Sequence, residues 1–64
     1  MKLRVKELAE EQGYNMSRLQ RQADVAFNTI KRIWRDPQAS VNTDTLEKIA
    51  RVLGVTVKDL FEDE

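Results

Sequence analysis

The stretch Asn15-Met16-Ser17-Arg18-Leu19-Gln20-Arg21-Gln22-Ala23-Asp24-Val25-Ala26-Phe27-Asn28-Thr29-Ile30-Lys31-Arg32-Ile33-Trp34-Arg35 has the pattern of two short helices bent around a tight turn. Asn15 is a good N-cap, because its side-chain oxygen can accept from the free amides of a first helical turn. Behind it Met16, Leu19 and Ala23 recur at helical spacing, which predicts a helix over residues 16–22. Asp24-Val25-Ala26 is too short for anything except a turn, and aspartate enters the left-handed region more readily than most residues. A second helix follows over residues 27–34, with Ile30, Ile33 and Trp34 on its buried side. Trp34 is expected to cover the core edge beside the next loop. Asp36-Pro37 ends the helix, since proline lacks the amide and restricts the residue before it.

Outward from this pair the chain stays helical. Upstream, Val5, Leu8 and Ala9 form the buried side of a helix over residues 3–12, while Lys6, Glu7, Glu10 and Glu11 face water. Gly13 suits the left-handed position just past its end. Downstream, residues 38–41 form a loop. Asn42 or Thr43 then caps a fourth helix that carries Leu46, Ile49, Ala50 and Leu53 on one face and stops at Gly54. Thr56-Val57-Lys58-Asp59 has the form of a capping box with aspartate in place of glutamate. It opens a short fifth helix that buries Val57, Leu60 and Phe61. The expectation is a single domain over residues 1–64, all-α, folded as a compact five-helix bundle; 64 residues leave little room for a second core.

Composition removes several functions. There is no cysteine and no histidine, hence no disulfide framework, no thiolate chemistry, and neither the commonest metal ligand nor the commonest neutral-pH base. Ser17 has no histidine to activate it, no glycine-rich phosphate loop exists, and adjacent Glu10 and Glu11 point apart on a helix. An enzyme is not expected, nor a metal or other cofactor, and no small-molecule effector is evident. Met1-Lys2-Leu3-Arg4 is followed by no apolar signal-like run, and no stretch approaches the roughly 20 apolar residues of a membrane span. The expected location is the cytoplasm.

The formal net charge is zero, with 11 basic and 11 acidic residues. Its distribution is uneven. Residues 15–35 hold Arg18, Arg21, Lys31, Arg32 and Arg35 against Asp24 alone, a net +4. The compensating −4 lies outside, much of it in Glu10-Glu11 and Glu62-Asp63-Glu64. A polyanion-binding face needs local positive potential, and the rest of the surface can be acidic.

Two short helices joined by a tight turn are the arrangement that lays a second helix in the major groove of DNA. The sequence resembles the Cro/phage-repressor (XRE-type) helix-turn-helix family over nearly its whole length. The resemblance is carried by Leu19-x-x-x-Ala23-x-Val25, by Asn28-Thr29-Ile30-Lys31-Arg32-Ile33, and most specifically by Thr43-Asp44-Thr45-Leu46-Glu47-Lys48-Ile49-Ala50-Arg51-Val52-Leu53-Gly54-Val55 with Leu60-Phe61. It departs from the family pattern at four places. Met16 stands where a DNA-touching glutamine is frequent, Gln20 where a small residue is usual, Asp24 where the turn usually holds glycine, and Ala26 where serine or threonine usually caps the recognition helix.

The resemblance implies a sequence-specific transcriptional regulator, expected to be a repressor, whose partner is a double-stranded DNA operator. Ala26, Phe27, Asn28, Lys31 and Arg32 would face base edges. Asn28 suits a bidentate contact with adenine and Arg32 one with guanine, while Ala26 and Phe27 suit a thymine methyl. Asn15, Ser17, Arg18, Thr29 and Arg35 would contact phosphates. Operators of this class usually hold two half-sites about 34–36 Å apart, which implies a weak homodimer. The alternative is a protein-interaction module of the same fold, such as an antitoxin-like subunit, docking a partner through Leu60-Phe61 and the acidic tail.

Overall fold

A computed structural model of the chain describes residues 2–62, excluding the side chain of Glu62. Its elements are a two-residue strand β1 (Lys2–Leu3), helices α1 (Val5–Glu11), α2 (Met16–Ala23), α3 (Phe27–Arg35) and α4 (Thr43–Leu53), a 3-10 turn (Lys58–Leu60) and a second strand β2 (Phe61–Glu62). Most of the acidic tail, Asp63-Glu64, lies outside the described residues.

Two of the four helices described start on a side-chain cap. Asn15 Oδ1 accepts from the Arg18 amide at 2.8 Å and Asn42 Oδ1 from the Thr45 amide at 2.9 Å, so α2 and α4 both start on an asparagine cap. Asn42, rather than Thr43, is the cap of α4. That helix stops at Gly54, which sits in the left-handed region at φ 71°. Asp24 ends α2 in the same conformation, φ 55° and ψ 49°, and is the one non-glycine residue with positive φ among the described residues. Its backbone thereby makes the bend that glycine would make at no steric cost. Beyond α3, Asp36 is extended, and its carboxylate accepts from the Gln38 amide at 3.0 Å to shape the start of the loop.

The core is wholly apolar: Val5 and Ala9 from α1, Leu19 and Ala23 from α2, Val25 from the turn, Ile30 and Ile33 from α3, and Leu46, Ile49, Ala50 and Leu53 from α4, closed by Leu3 and Leu60. Leu8, Met16, Trp34, Val57 and Phe61 are only half-buried and pack around its rim. α3 packs against α2 and α1, while α4 supports α2 and α1 from the other side. The Gln12 side chain donates to the Leu53 carbonyl at 2.8 Å, tying the end of α1 to the end of α4.

The ends of the chain depart from the sequence expectation. Among the described residues there are four helices rather than five, and the first begins at Val5 instead of residue 3. Lys2 and Leu3 pair antiparallel with Glu62 and Phe61. The Leu3 amide donates to the Pro37 carbonyl at 2.7 Å and the Arg4 amide to the Leu60 carbonyl at 2.6 Å, so backbone groups expected inside a helix find distant partners instead. At the other end the capping pair does form: the Thr56 amide donates to Asp59 Oδ2 at 3.2 Å and the Asp59 amide to Thr56 Oγ1 at 3.3 Å. It launches only one 3-10 turn, because Phe61 becomes extended to pair with Leu3. A helix of five or six residues is unstable by itself, and the strand pairing outweighs the missing turn.

Candidate nucleic-acid interface

α2, the Asp24-Val25-Ala26 turn and α3 form the helix-turn-helix read from the sequence. Val25 is buried and its amide donates to the Gln20 carbonyl at 3.3 Å, which ties the turn back to α2. α3 divides sharply around its axis. Ile30 and Ile33 are buried, Thr29 and Trp34 are half-buried, and Phe27, Asn28, Lys31, Arg32 and Arg35 are exposed. The exposed set follows i, i+1, i+4, i+5, i+8 spacing, which is one continuous helix face. Ala26, at the start of α3, is also exposed.

Four of the five residues expected to face base edges, Phe27, Asn28, Lys31 and Arg32, therefore stand on this one face, and Ala26 is exposed beside its start. Phe27 retains 41% of its surface and is the exposed large hydrophobic side chain among the described residues. Ala26 provides no side-chain cap, leaving the first turn of α3 without the polar acceptor that a serine would bring. Arg32 does not extend freely: its guanidinium donates to the Ser40 carbonyl, across the loop that follows α3. Reaching a base would require it to leave that carbonyl.

The residues expected at phosphates fall into two groups. Asn15, Ser17 and Arg18 stand exposed at the start of α2, where Asn15 caps the helix through the Arg18 amide. The Arg18 guanidinium lies 5.5 Å from the centroid of the Tyr14 ring, within reach of a cation–π contact that restrains the side chain. Thr29 and Arg35 belong to α3, the first half-buried and the second exposed at the helix end. Sequence reasoning missed Tyr14 and Ser40 as the groups that hold Arg18 and Arg32. The Tyr14–Arg18 spacing was a usable signal; nothing local marks the Ser40 carbonyl.

The site is an exposed helix face, and two depressions among the described residues lie away from it. One is lined by Lys2, Arg4, Lys6, Glu10, Glu11 and Pro37, another by Gln22, Asp24, Lys48, Arg51 and Val52. Among the described residues no cluster of acidic side chains is placed to hold a metal ion, and no helix is long and apolar enough to cross a membrane.

A family model described as the Cro/C1-type HTH DNA-binding domain matches residues 4–64. The chain belongs to the Cro/C1-type helix-turn-helix family. Within that family it is 34% identical over 61 residues to the HTH-type transcriptional regulator SinR of Bacillus subtilis (strain 168), and equally so to SinR of Bacillus licheniformis. Each alignment covers 95% of this chain and 55% of the relative, so the chain spans about half the length of the curated relatives it matches. The fold agrees as well. It superposes on the N-terminal DNA binding domain of SinR from Bacillus subtilis with a TM-score of 0.86, and on a solution structure of the same domain with 0.81. Both superpositions are at 34% identity and cover 95% of this chain and 88% of the other. Among its described residues this Cro/C1-type domain has four helices and a short strand pair.

Proposed function

We propose that this domain binds double-stranded DNA sequence-specifically and acts as the DNA-reading part of a transcriptional regulator, with repression by operator occupancy as its mode. The observation that carries the reading is the two-sided α3: Ile30 and Ile33 anchor it to the core while Phe27, Asn28, Lys31, Arg32 and Arg35 form one uncovered face. A helix held this way can enter a major groove without disturbing the core. The family membership and the SinR likeness support the same reading.

In this reading Asn28 and Lys31, with Ala26 and Phe27 beside them, contact base edges, and Arg32 joins them by exchanging the Ser40 carbonyl for a guanine. Asn15, Ser17, Arg18, Thr29 and Arg35 position the domain on phosphates, Arg18 from its place over Tyr14. Two copies pair weakly on a palindromic operator; sedimentation showing one copy per palindrome at saturation rejects that part. The docking alternative has less to stand on, because Leu60 is fully buried and the backbone of Phe61 pairs with Leu3, which leaves a partner only the half-buried Phe61 side chain.

The test is titration of the wild type and Asn28→Ala against duplex DNA from the protein's own upstream region and against unrelated DNA, at two salt concentrations. The wild type is expected to prefer its own region and to weaken with salt. Asn28→Ala should lose about 1–3 kcal/mol of that preference. Absence of binding to either duplex at low salt overturns the proposal.

A further inference from the structure

Two arginines of the helix-turn-helix are held in the free protein, and the two restraints differ in kind. Arg32 spends an N–H donor on the Ser40 carbonyl, the kind of donor that a base edge would need. Arg18 instead rests over the Tyr14 ring, 5.5 Å from its centroid. An aromatic ring attracts a guanidinium through its π face and takes up none of the five N–H groups. Arg18 is therefore restrained with its donors still available.

Tyr14 is itself fixed. It is half-buried against the core, and its amide donates to the Ala9 carbonyl at 2.8 Å. The backbone of Arg18 is fixed as well, because its amide donates to Asn15 Oδ1 at 2.8 Å. Both ends of a long side chain are thus placed at the exposed start of α2. An unrestrained surface arginine samples many rotamers, and ordering it in a complex opposes binding. We infer that Tyr14 is a positioning residue: its ring orders the Arg18 guanidinium in advance for a DNA phosphate, and strengthens binding without touching DNA. This rests on the DNA-binding reading above and adds to it a residue that acts through another. A phosphate contact serves every sequence alike, so the ring raises affinity for specific and unrelated duplexes by the same factor. Ordering in advance can save no more than the pair is worth, which for an exposed cation–π contact is about two- to fivefold in affinity.

The test is a double-mutant cycle in DNA titration: wild type, Tyr14→Leu, Arg18→Ala and the double variant, with Tyr14→Phe as control. Duplex from the protein's own upstream region and an unrelated duplex are both titrated. Urea unfolding first establishes that each variant is folded under the conditions of the titration. Leucine keeps apolar bulk against the core and removes the π face, whereas phenylalanine keeps the face and removes the hydroxyl alone. Tyr14→Leu should weaken both duplexes about two- to fivefold. Tyr14→Phe should bind as the wild type does. In the Arg18→Ala background, Tyr14→Leu should have no further effect. Where Tyr14→Leu is unfolded, a fluorinated phenylalanine at position 14 keeps the shape, weakens the π face and should give the same loss.

Several results overturn the inference while leaving the DNA reading intact. A Tyr14→Phe protein as weak as Tyr14→Leu would make the hydroxyl a direct ligand of the phosphate. A Tyr14→Leu loss that persists in the Arg18→Ala background would detach the ring from Arg18. Equal binding by the wild type and Tyr14→Leu, or by the wild type and Arg18→Ala, would leave the pair without a role in binding. Failure of the wild type to bind either duplex overturns the DNA reading itself, and this inference with it.

Discussion

Arg32 shows how a single contact alters the expectation for a residue. By position it belongs with Asn28 and Lys31, yet its guanidinium is held by the Ser40 carbonyl. An exposed hydrogen bond of this kind adds little to stability, because water competes for both partners; the net value is about 1 kcal/mol or less. Arg32→Ala is therefore expected to lower the unfolding free energy by no more than about 1 kcal/mol. In the proposed function it should cost about 1–3 kcal/mol in preference for the specific duplex. Urea unfolding and DNA titration of the same variant read the two effects separately. An Arg32→Ala protein that keeps its full preference for the specific duplex would make Arg32 a strut of the loop and nothing more. The exposed face of α3 was legible in the sequence because Ile30 and Ile33 fix which side is buried. The Ser40 contact was not, since it depends on how the loop beyond Pro37 folds back.

Among the elements, those bounded by local chemistry matched their sequence reading closely. Asn15 and Asn42 set two helix starts, while Gly54 and Asp24 set two ends. The strand pair and the single 3-10 turn were hidden because they rest on contacts between opposite ends of the described chain. Leu3 fits the spacing of α1 as well as it fits a strand, and only the position of Leu60 and Phe61 decides between them. The turn between α2 and α3 allows a sharp test. Asp24 is a left-handed residue at the C-terminal end of α2, where the helix dipole disfavours negative charge. An asparagine at this position would keep the ability to adopt that conformation and remove the charge. Asp24→Asn should therefore stabilise the domain by about 0.3–1 kcal/mol at neutral pH and low salt, and by less at high salt. Thermal unfolding at two ionic strengths checks both parts; a gain that ignores salt would point away from the dipole.

For the molecule as a whole, a small core and a divided charge set the terms. Leu60 is fully buried although it lies in a short terminal turn, and truncating such a side chain costs about 2–5 kcal/mol. A domain of this size rarely has more than about 3–5 kcal/mol to lose. Leu60→Ala should leave it largely unfolded at about 37 °C by circular dichroism, while the volume-conserving Leu60→Met should remain folded. Charge calls for a different argument. A chain with zero net charge should be indifferent to a polyanion if only the total matters, yet residues 15–35 carry +4. Binding that releases counterions depends on which cations reach phosphates, and each such contact changes the slope of log K against log salt by about one. Arg18→Ala and Arg35→Ala should each flatten that slope by about one. Lys58→Ala, in the terminal 3-10 turn, makes the same change in net charge and should leave the slope unaltered. Because the three variants have identical total charge, equal slopes in all three would mean that the bulk charge governs binding and that the basic face has no special role. A split between them would locate the phosphate contacts on α2 and α3, with the neutral total reflecting only the acidic remainder of the surface.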